Sequence, residues 1–265
     1  MRKCAGTTVT EIMNFANWRY VGKMIQSTEG IPIDTRLLRQ DGGLMTVVSL
    51  GEPIERIISL YWYEHASHHY MKKNESKIAS FDTWFDAWRD GSEWKKNITA
   101  RHPGNIYLEV DNYFTKALSE WKGEPVTDQH LERAKSNLNK FDVVLIKEWM
   151  SSITQINAIY AGFPTQKRIE SIKRLVSDNS LKTKLAKYAG DISSLRQKVV
   201  AVNKFDMLLY EYALTLAARR LVSIVNIVQY VKGNGTSVDR SACSVFIQKE
   251  QVGIHRSIGH KGPFI

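Results

Sequence analysis

The chain has 265 residues, 43% hydrophobic and 24% charged, which excludes a disordered or fibrous chain and leaves room for one large or two small domains. Its 37 Lys and Arg against 27 Asp and Glu give a net charge of +10, pointing to an anionic partner: nucleic acid, a phosphate-bearing cofactor, an acidic glycan or an anionic membrane surface. Two cysteines, Cys4 and Cys243, exclude a disulfide framework and cannot alone fill a zinc site; no apolar run reaches the roughly 18 residues of a spanning helix.

In chain order, Met1 to Thr8 runs straight into Val9, Ile12, Met13, Phe15 and Ala16, spaced like the inner face of a helix. A small-residue turn entering a helix normally follows a strand. None precedes this one, so the sequence reads as beginning abruptly, as a fragment would, and without the continuous apolar run of a signal peptide. Leu44 to Leu50 is a β-branched apolar run that predicts a strand buried on both faces. Gly51-Glu52-Pro53 breaks it, and Pro53 suits the first turn of a helix carried on by Ile54, Ile57, Ile58 and Tyr61. Such a strand–turn–helix unit belongs to a parallel α/β sheet. Phe81, Trp84, Phe85 and Trp88 form an aromatic helical stripe, read as core rather than as a sugar-stacking face. Thr127 is the expected N-cap of a helix through Leu138, and Phe141 to Ile146 predicts a second buried strand. From Thr165 to about Val231 the pattern is helical, clearest over Phe205 to Leu221. Residues 1–232 are read as one α/β domain with a helical C-terminal third. Residues 233–265 form a glycine-rich basic tail, able to pack on the same domain, with a short strand over Ser244 to Gln248.

Two stretches carry anion-binding chemistry. In Lys3-Cys4-Ala5-Gly6-Thr7-Thr8, small residues let the turn's N–H groups approach an anion. The following helix adds its N-terminal partial charge, and Lys3 and the two threonines add donors. The order K-x-x-G-T-T is not a Walker A loop, in which Lys follows the glycine. In the second stretch, Arg56 and Ser59 stand three apart on one helical face beside a strand end, where ligands of open α/β sheets collect. The bland alternative is an Arg paired with Glu52 or Glu55.

Together the two stretches resemble the paired cofactor loops of sulfotransferases, particularly the Golgi carbohydrate type related to uronyl 2-O-sulfotransferases. Lys3, Gly6, Thr7 and Thr8 match the family's P-K-x-G-[GT]-T-[TS] loop; Glu52, Pro53, Arg56, Ser59 and Tyr61 match its R-[DE]-P-x-x-R-x-x-S-x-[YF] segment. Weaker similarity runs through Glu109 to Phe114, Ala134 to Ile146 and Asp206 to Ala213. The resemblance implies a P-loop-like parallel sheet flanked by helices, and PAPS (3′-phosphoadenosine 5′-phosphosulfate) as sulfate donor to a hydroxyl of a carbohydrate or similar acceptor. It implies that Lys3, Cys4, Ala5, Gly6, Thr7 and Thr8 hold the 5′-phosphosulfate while Arg56 and Ser59 hold the 3′-phosphate. The family's base lies between the two motifs, where Glu29 is the leading candidate with Asp34 behind it; His65 and His68 lie just beyond. Family members are glycoproteins of the Golgi lumen, anchored by an N-terminal membrane helix that this sequence lacks. Two departures stand out: no strand leads into the Lys3 loop, and Gly51 stands where the family has Arg. They keep open a catalytically impaired relative serving as a binding or scaffold protein. A nucleic-acid-binding protein fits the charge, but no such motif is present.

His65 and His69 stand at i, i+4, yet a zinc site needs further ligands; His65 to His69 is read as a solvated helix end and no metal is expected. Three N-x-[ST] triplets begin at Asn74, Asn97 and Asn234 and fit a lumenal protein.

Overall fold

The computed structural model describes residues 46–89, 109–149, 187, 190–191 and 196–233, with side chains as far as residue 223. Two short strands, β1 (Val47–Leu50) and β2 (Val143–Ile146), pair in parallel with Val47 opposite Val143 and Leu50 opposite Ile146. Side-chain chemistry pins the register at one end. The Asp142 carboxylate accepts hydrogen bonds from Thr46 N at 2.7 Å and Thr46 Oγ1 at 2.9 Å. At the other end Lys147 N donates to Leu50 O at 2.8 Å. The uninterrupted Val/Leu/Ile composition of β2 fits a strand buried on both faces, and all of β2 is buried; β1 is interrupted only by Ser49, itself buried. At this coarse level the α/β expectation holds: among the described residues a two-stranded parallel sheet lies among helices, and helix predominates.

Helix α1 (Pro53–Leu60) follows β1 with Pro53 in its first turn, as the sequence predicts, and with Glu52 as N-cap. It does not simply continue. Residues Tyr61–Ala66 form a π-helical turn in which the Ser67 N–H donates to Trp62 O, five residues back. This wider turn puts both Tyr61 and Ala66 in the core, fully buried, and leaves Tyr63 56% exposed. Helix α2 (Ser67–Met71) and a 3₁₀ turn (Glu75–Lys77) lead to α3 (Phe81–Arg89). The aromatic stripe of α3 is core: Phe81 and Trp84 both pack edge-on to Tyr61, and Tyr61 Oη donates to Ala79 O at 2.9 Å. Helix α6 (Arg196–Val202) closes this core with Val199, and Lys198 ties it to α3 through Asp82 at 2.7 Å and Asp86 at 2.6 Å.

The second core lies on the sheet. Helices α4 (Tyr113–Leu118), α5 (Asp128–Asn139) and α7 (Lys204–Gly233) pack Phe114, Leu138, Leu209 and Ala213 against Val48, Leu50, Val144 and Ile146. Thr127 caps α5 as expected, with its N–H donating to His130 Nδ1 at 3.1 Å; His130 fills the place that Glu or Gln takes in a capping box.

Two helix starts cap each other. Asp206, in the first turn of α7, accepts from Phe114 N at 2.9 Å, Thr115 N at 2.8 Å and Thr115 Oγ1 at 2.9 Å. In return the Asn112 side-chain oxygen accepts from Phe205 N at 3.0 Å and Asp206 N at 3.3 Å. Asn112 stands at φ 47°, a left-handed conformation that Asn tolerates better than most residues. Asn203 locks the same corner, accepting from Asn112 N at 2.9 Å and donating to Val110 O at 2.8 Å. Burial pushes the Asp206 carboxyl up to about 6, against the pull of its Phe114 and Thr115 donors and of Arg56.

Asp206→Ala is therefore expected to destabilise the fold by roughly 3–5 kcal/mol, because buried donors at the start of α4 lose their acceptor and Arg56 loses a nearby carboxylate. Asp206→Asn, which keeps an acceptor oxygen, should lose clearly less in urea-induced unfolding.

Candidate functional site

In a parallel pair the carboxyl ends of the strands face the connections that build a site. Here β1 ends in Gly51 and Glu52, and β2 ends in Lys147 and Glu148. Gly51 is buried, and its φ lies outside the left-handed region. A Cβ built there would meet Lys147 Cδ at 3.2 Å and Glu148 Oε1 at 3.5 Å. The bare glycine thus leaves room for the Lys147 stem, and a side chain at residue 51 needs that flexible stem to shift by a few tenths of an ångström.

Carboxylates occupy much of the first turn of α1. Glu52 N donates to Glu148 Oε1 at 3.1 Å, and Glu55 N donates to Glu52 Oε2 at 2.7 Å. Tyr210 Oη, reaching across from α7, donates to Glu148 Oε2 at 2.7 Å. Arg196 lies 3.5 Å from Glu52 Oε1 and 3.7 Å from Glu55 Oε1. Burial holds the Glu52 carboxyl above its ordinary range, with the Glu55 and Glu148 charges adding to it; the Glu55 N–H and Arg196 oppose the shift. The edge therefore combines two cationic side chains, Lys147 and Arg196, with a carboxyl able to take a proton nearer neutrality than usual. An anion bound here would share the helix start with Glu148 or displace it.

Of the residues that the resemblance assigns to the cofactor, Arg56 and Ser59 fall within the described part. Arg56 is 2% exposed: Nη1 donates to Glu109 O at 2.9 Å and the guanidinium carbon lies 3.6 Å above the Tyr113 ring. Ser59, one turn on, is half-buried. Glu52 and Glu55, the partners named in the bland alternative, both pair with Arg196. Lys3, Cys4, Ala5, Gly6, Thr7, Thr8 and Glu29, and with them Asp34, lie outside the described residues. So does the predicted strand Ser244 to Gln248. Glu148, Tyr210, Lys147 and Arg196 escaped the sequence reading. The available signal for Lys147 and Glu148 was their place directly after a predicted parallel strand.

The solvated helix end expected of the histidine cluster holds for His68, which is exposed on a short helix with no buried residue, but not for His65. His65 is drawn inward by the π-helical turn, and its Nε2 accepts from Ala79 N at 2.9 Å, which places the ring proton on Nδ1. Burial, reinforced by His69 and His68, lowers it to about 4. Among the described residues no group of three or more His, Cys, Asp or Glu side chains is placed to hold a metal ion.

No protein-family model matches the chain, and no curated protein or solved structure matches it either.

His65 makes stability pH-dependent in a defined sense. Its folded value lies below the ordinary 6.5, so the unfolded chain takes up a proton that the folded chain refuses. This contribution is intact above pH 6.5 and is lost as pH falls towards 4. His65→Gln, which retains an acceptor for Ala79 N without titrating, should show a flatter decline in unfolding free energy between pH 7 and 5.

Proposed function

We propose that this chain is a PAPS-dependent sulfotransferase of the Golgi carbohydrate type, built on a P-loop-like sheet and acting on a hydroxyl of a carbohydrate or similar acceptor. The observation that carries this reading is the convergence of the segments sharing the resemblance. Arg56 of the second motif bonds Glu109; Phe114 is capped by Asp206; Leu209 and Ala213 pack with Ala134, Leu138 and Val144. Four stretches far apart in sequence thus form one packed unit beside the carboxyl ends of β1 and β2.

The described donors suit part of the cofactor. The Ser59 hydroxyl, the start of α1 and the Lys147 and Arg196 cations are groups that bind phosphate oxygens. PAPS would supply a sulfuryl group on a good leaving group. Sulfuryl transfer is an in-line displacement in which positioning and charge stabilisation dominate. The acceptor oxygen forms a bond to sulfur as the bond from sulfur to the bridging phosphate oxygen breaks. Lys3 neutralises the charge that builds on the departing 5′-phosphate, and Thr7, Thr8 and the amides of Cys4, Ala5 and Gly6 hold its oxygens. Glu29 takes the acceptor's proton. Ser59 belongs to the 3′-phosphate side. Arg56, buried on Tyr113, serves that side by fixing the helix that presents Ser59. Activity by this route places the chain in the Golgi lumen.

A second reading has its own observation. Glu148 and Glu52 already take N–H groups at the start of α1, as suits a relative that keeps the fold for binding or scaffolding without holding the 3′-phosphate.

PAP, the desulfated nucleotide, separates the readings. Thermal shift should favour PAP over ATP and over a DNA duplex, and Lys3→Ala should lower sulfate transfer about 100-fold or more with little change in melting temperature. No response to any nucleotide favours the scaffold, and a response to DNA alone rejects both readings.

Gly51→Arg should tighten PAP at least about tenfold and leave adenosine 5′-phosphate unchanged, since one charge-assisted Arg–phosphate contact is worth roughly 1.5–3 kcal/mol. Isothermal titration of both ligands checks this; equal gains for the two would remove residue 51 from the 3′-phosphate side.

A further inference from the structure

We propose that Asn74 is an N-glycan acceptor. The triplet Asn74-Glu75-Ser76 occupies the corner between α2 and α3, and the backbone there is fully organised. Asn74 N donates to His69 O at 2.9 Å and Lys77 N donates to Asn74 O at 3.1 Å, with Lys73 at φ 55° turning the chain between them. The 3₁₀ turn Glu75–Lys77 folds Ser76 back over the asparagine, so that Ser76 Oγ donates to Asn74 Oδ1 at 3.5 Å. The acceptor motif needs a hydroxyl two residues after the asparagine, and here that hydroxyl meets the amide to be modified. Among the described residues no acceptor engages Asn74 Nδ2.

The corner also accommodates the product. Residues 71–73 and 75–77 on either side of Asn74 are all exposed, with Met71 at 73%. Asn74 itself is half-buried, so a bulky, solubilising group attached to Nδ2 leaves from a corner open on both sides. Beyond the corner, Ala79 is tied back to the π-helical turn through Tyr61 Oη on its carbonyl and His65 Nε2 on its N–H. Of the three triplets in the sequence, Asn97 and Asn234 lie outside the described residues; Asn74 is the one whose setting is defined.

The reaction is a glycosyl transfer from a lipid-pyrophosphate-linked oligosaccharide. A bond forms between Asn74 Nδ2 and the sugar C1, and the bond from C1 to the pyrophosphate oxygen breaks. The lipid pyrophosphate leaves with the bonding pair, and one amide proton is given up to a base. The inference rests on the proposed function only for its compartment, because this chemistry belongs to the secretory lumen.

The test uses the full chain directed into the secretory lumen of a eukaryotic host by an added signal sequence. Peptide mapping before and after peptide N-glycosidase should find Asn74 carrying a glycan and converted to Asp on its release. Asn74→Gln and Ser76→Ala should each remove that glycan, and Ser76→Thr, which keeps the hydroxyl, should retain it. A bare Asn74 in the folded, secreted protein overturns the inference, whatever the occupancy of Asn97 and Asn234. PAP binding on the same preparation keeps the two proposals apart. A bare Asn74 with PAP bound rejects the glycan site alone, and a glycosylated chain blind to PAP rejects the sulfotransferase reading alone.

Discussion

The exchange of caps between Asn112 and Asp206 is the constraint on which the described structure depends. A helix start leaves several N–H groups without intrahelical partners, and a buried start must find them elsewhere. Here two such starts lie against each other, and each supplies the side chain that the other lacks. The residues involved are more than ninety positions apart in sequence, so the bond set joins the middle of the chain to its last described helix. Neither helix can shift along its axis without stripping buried donors from the other.

Arg56 makes this corner matter to the site. Its helix, α1, belongs by Ile54 and Ile57 to the aromatic core, while the guanidinium rests on Tyr113 of the sheet-side core. A buried cation requires compensation, and it finds a carbonyl at Glu109, an aromatic face and the field of Asp206. The two cores are thereby coupled through one side chain whose backbone begins one turn after Gly51. What happens at the strand ends is mechanically connected to the capped corner.

Much of the architecture was legible because it rests on local pattern. The Phe81 to Trp88 spacing, the continuous apolar run of β2, the proline opening α1 and the Thr127 cap are all set by neighbours within a turn or two. Three features escaped for physical reasons. The π-helical turn slips the register once, which a 3.6-residue pattern over Ile54, Ile57, Ile58 and Tyr61 does not register. The Asn112–Asp206 exchange is a long-range contact between residue types that are ordinary anywhere. His65 looked like a surface histidine because the Ala79 N–H that it accepts and the Trp84 ring beside it come from beyond the corner at residue 74. For the site, the Gly51 turn and the Arg56–Ser59 face were readable. The carboxylate from Glu148 was not, because its partner Tyr210 arrives from a helix sixty residues away.

The π-helical turn also acts as a rotational offset. Accommodating one further residue turns everything after it by about 100° relative to an unbroken α-helix. That offset aims His65 at Ala79 and swings the lysine-flanked corner at residue 74 away from the cores. Removing one residue between Tyr61 and Ala66 would restore uniform helical bonding locally, yet it would bring a different side chain to every downstream position and point the corner elsewhere. A locally less favourable turn is thus kept by the geometry of its surroundings, and in this stretch chain length is as strictly specified as residue identity.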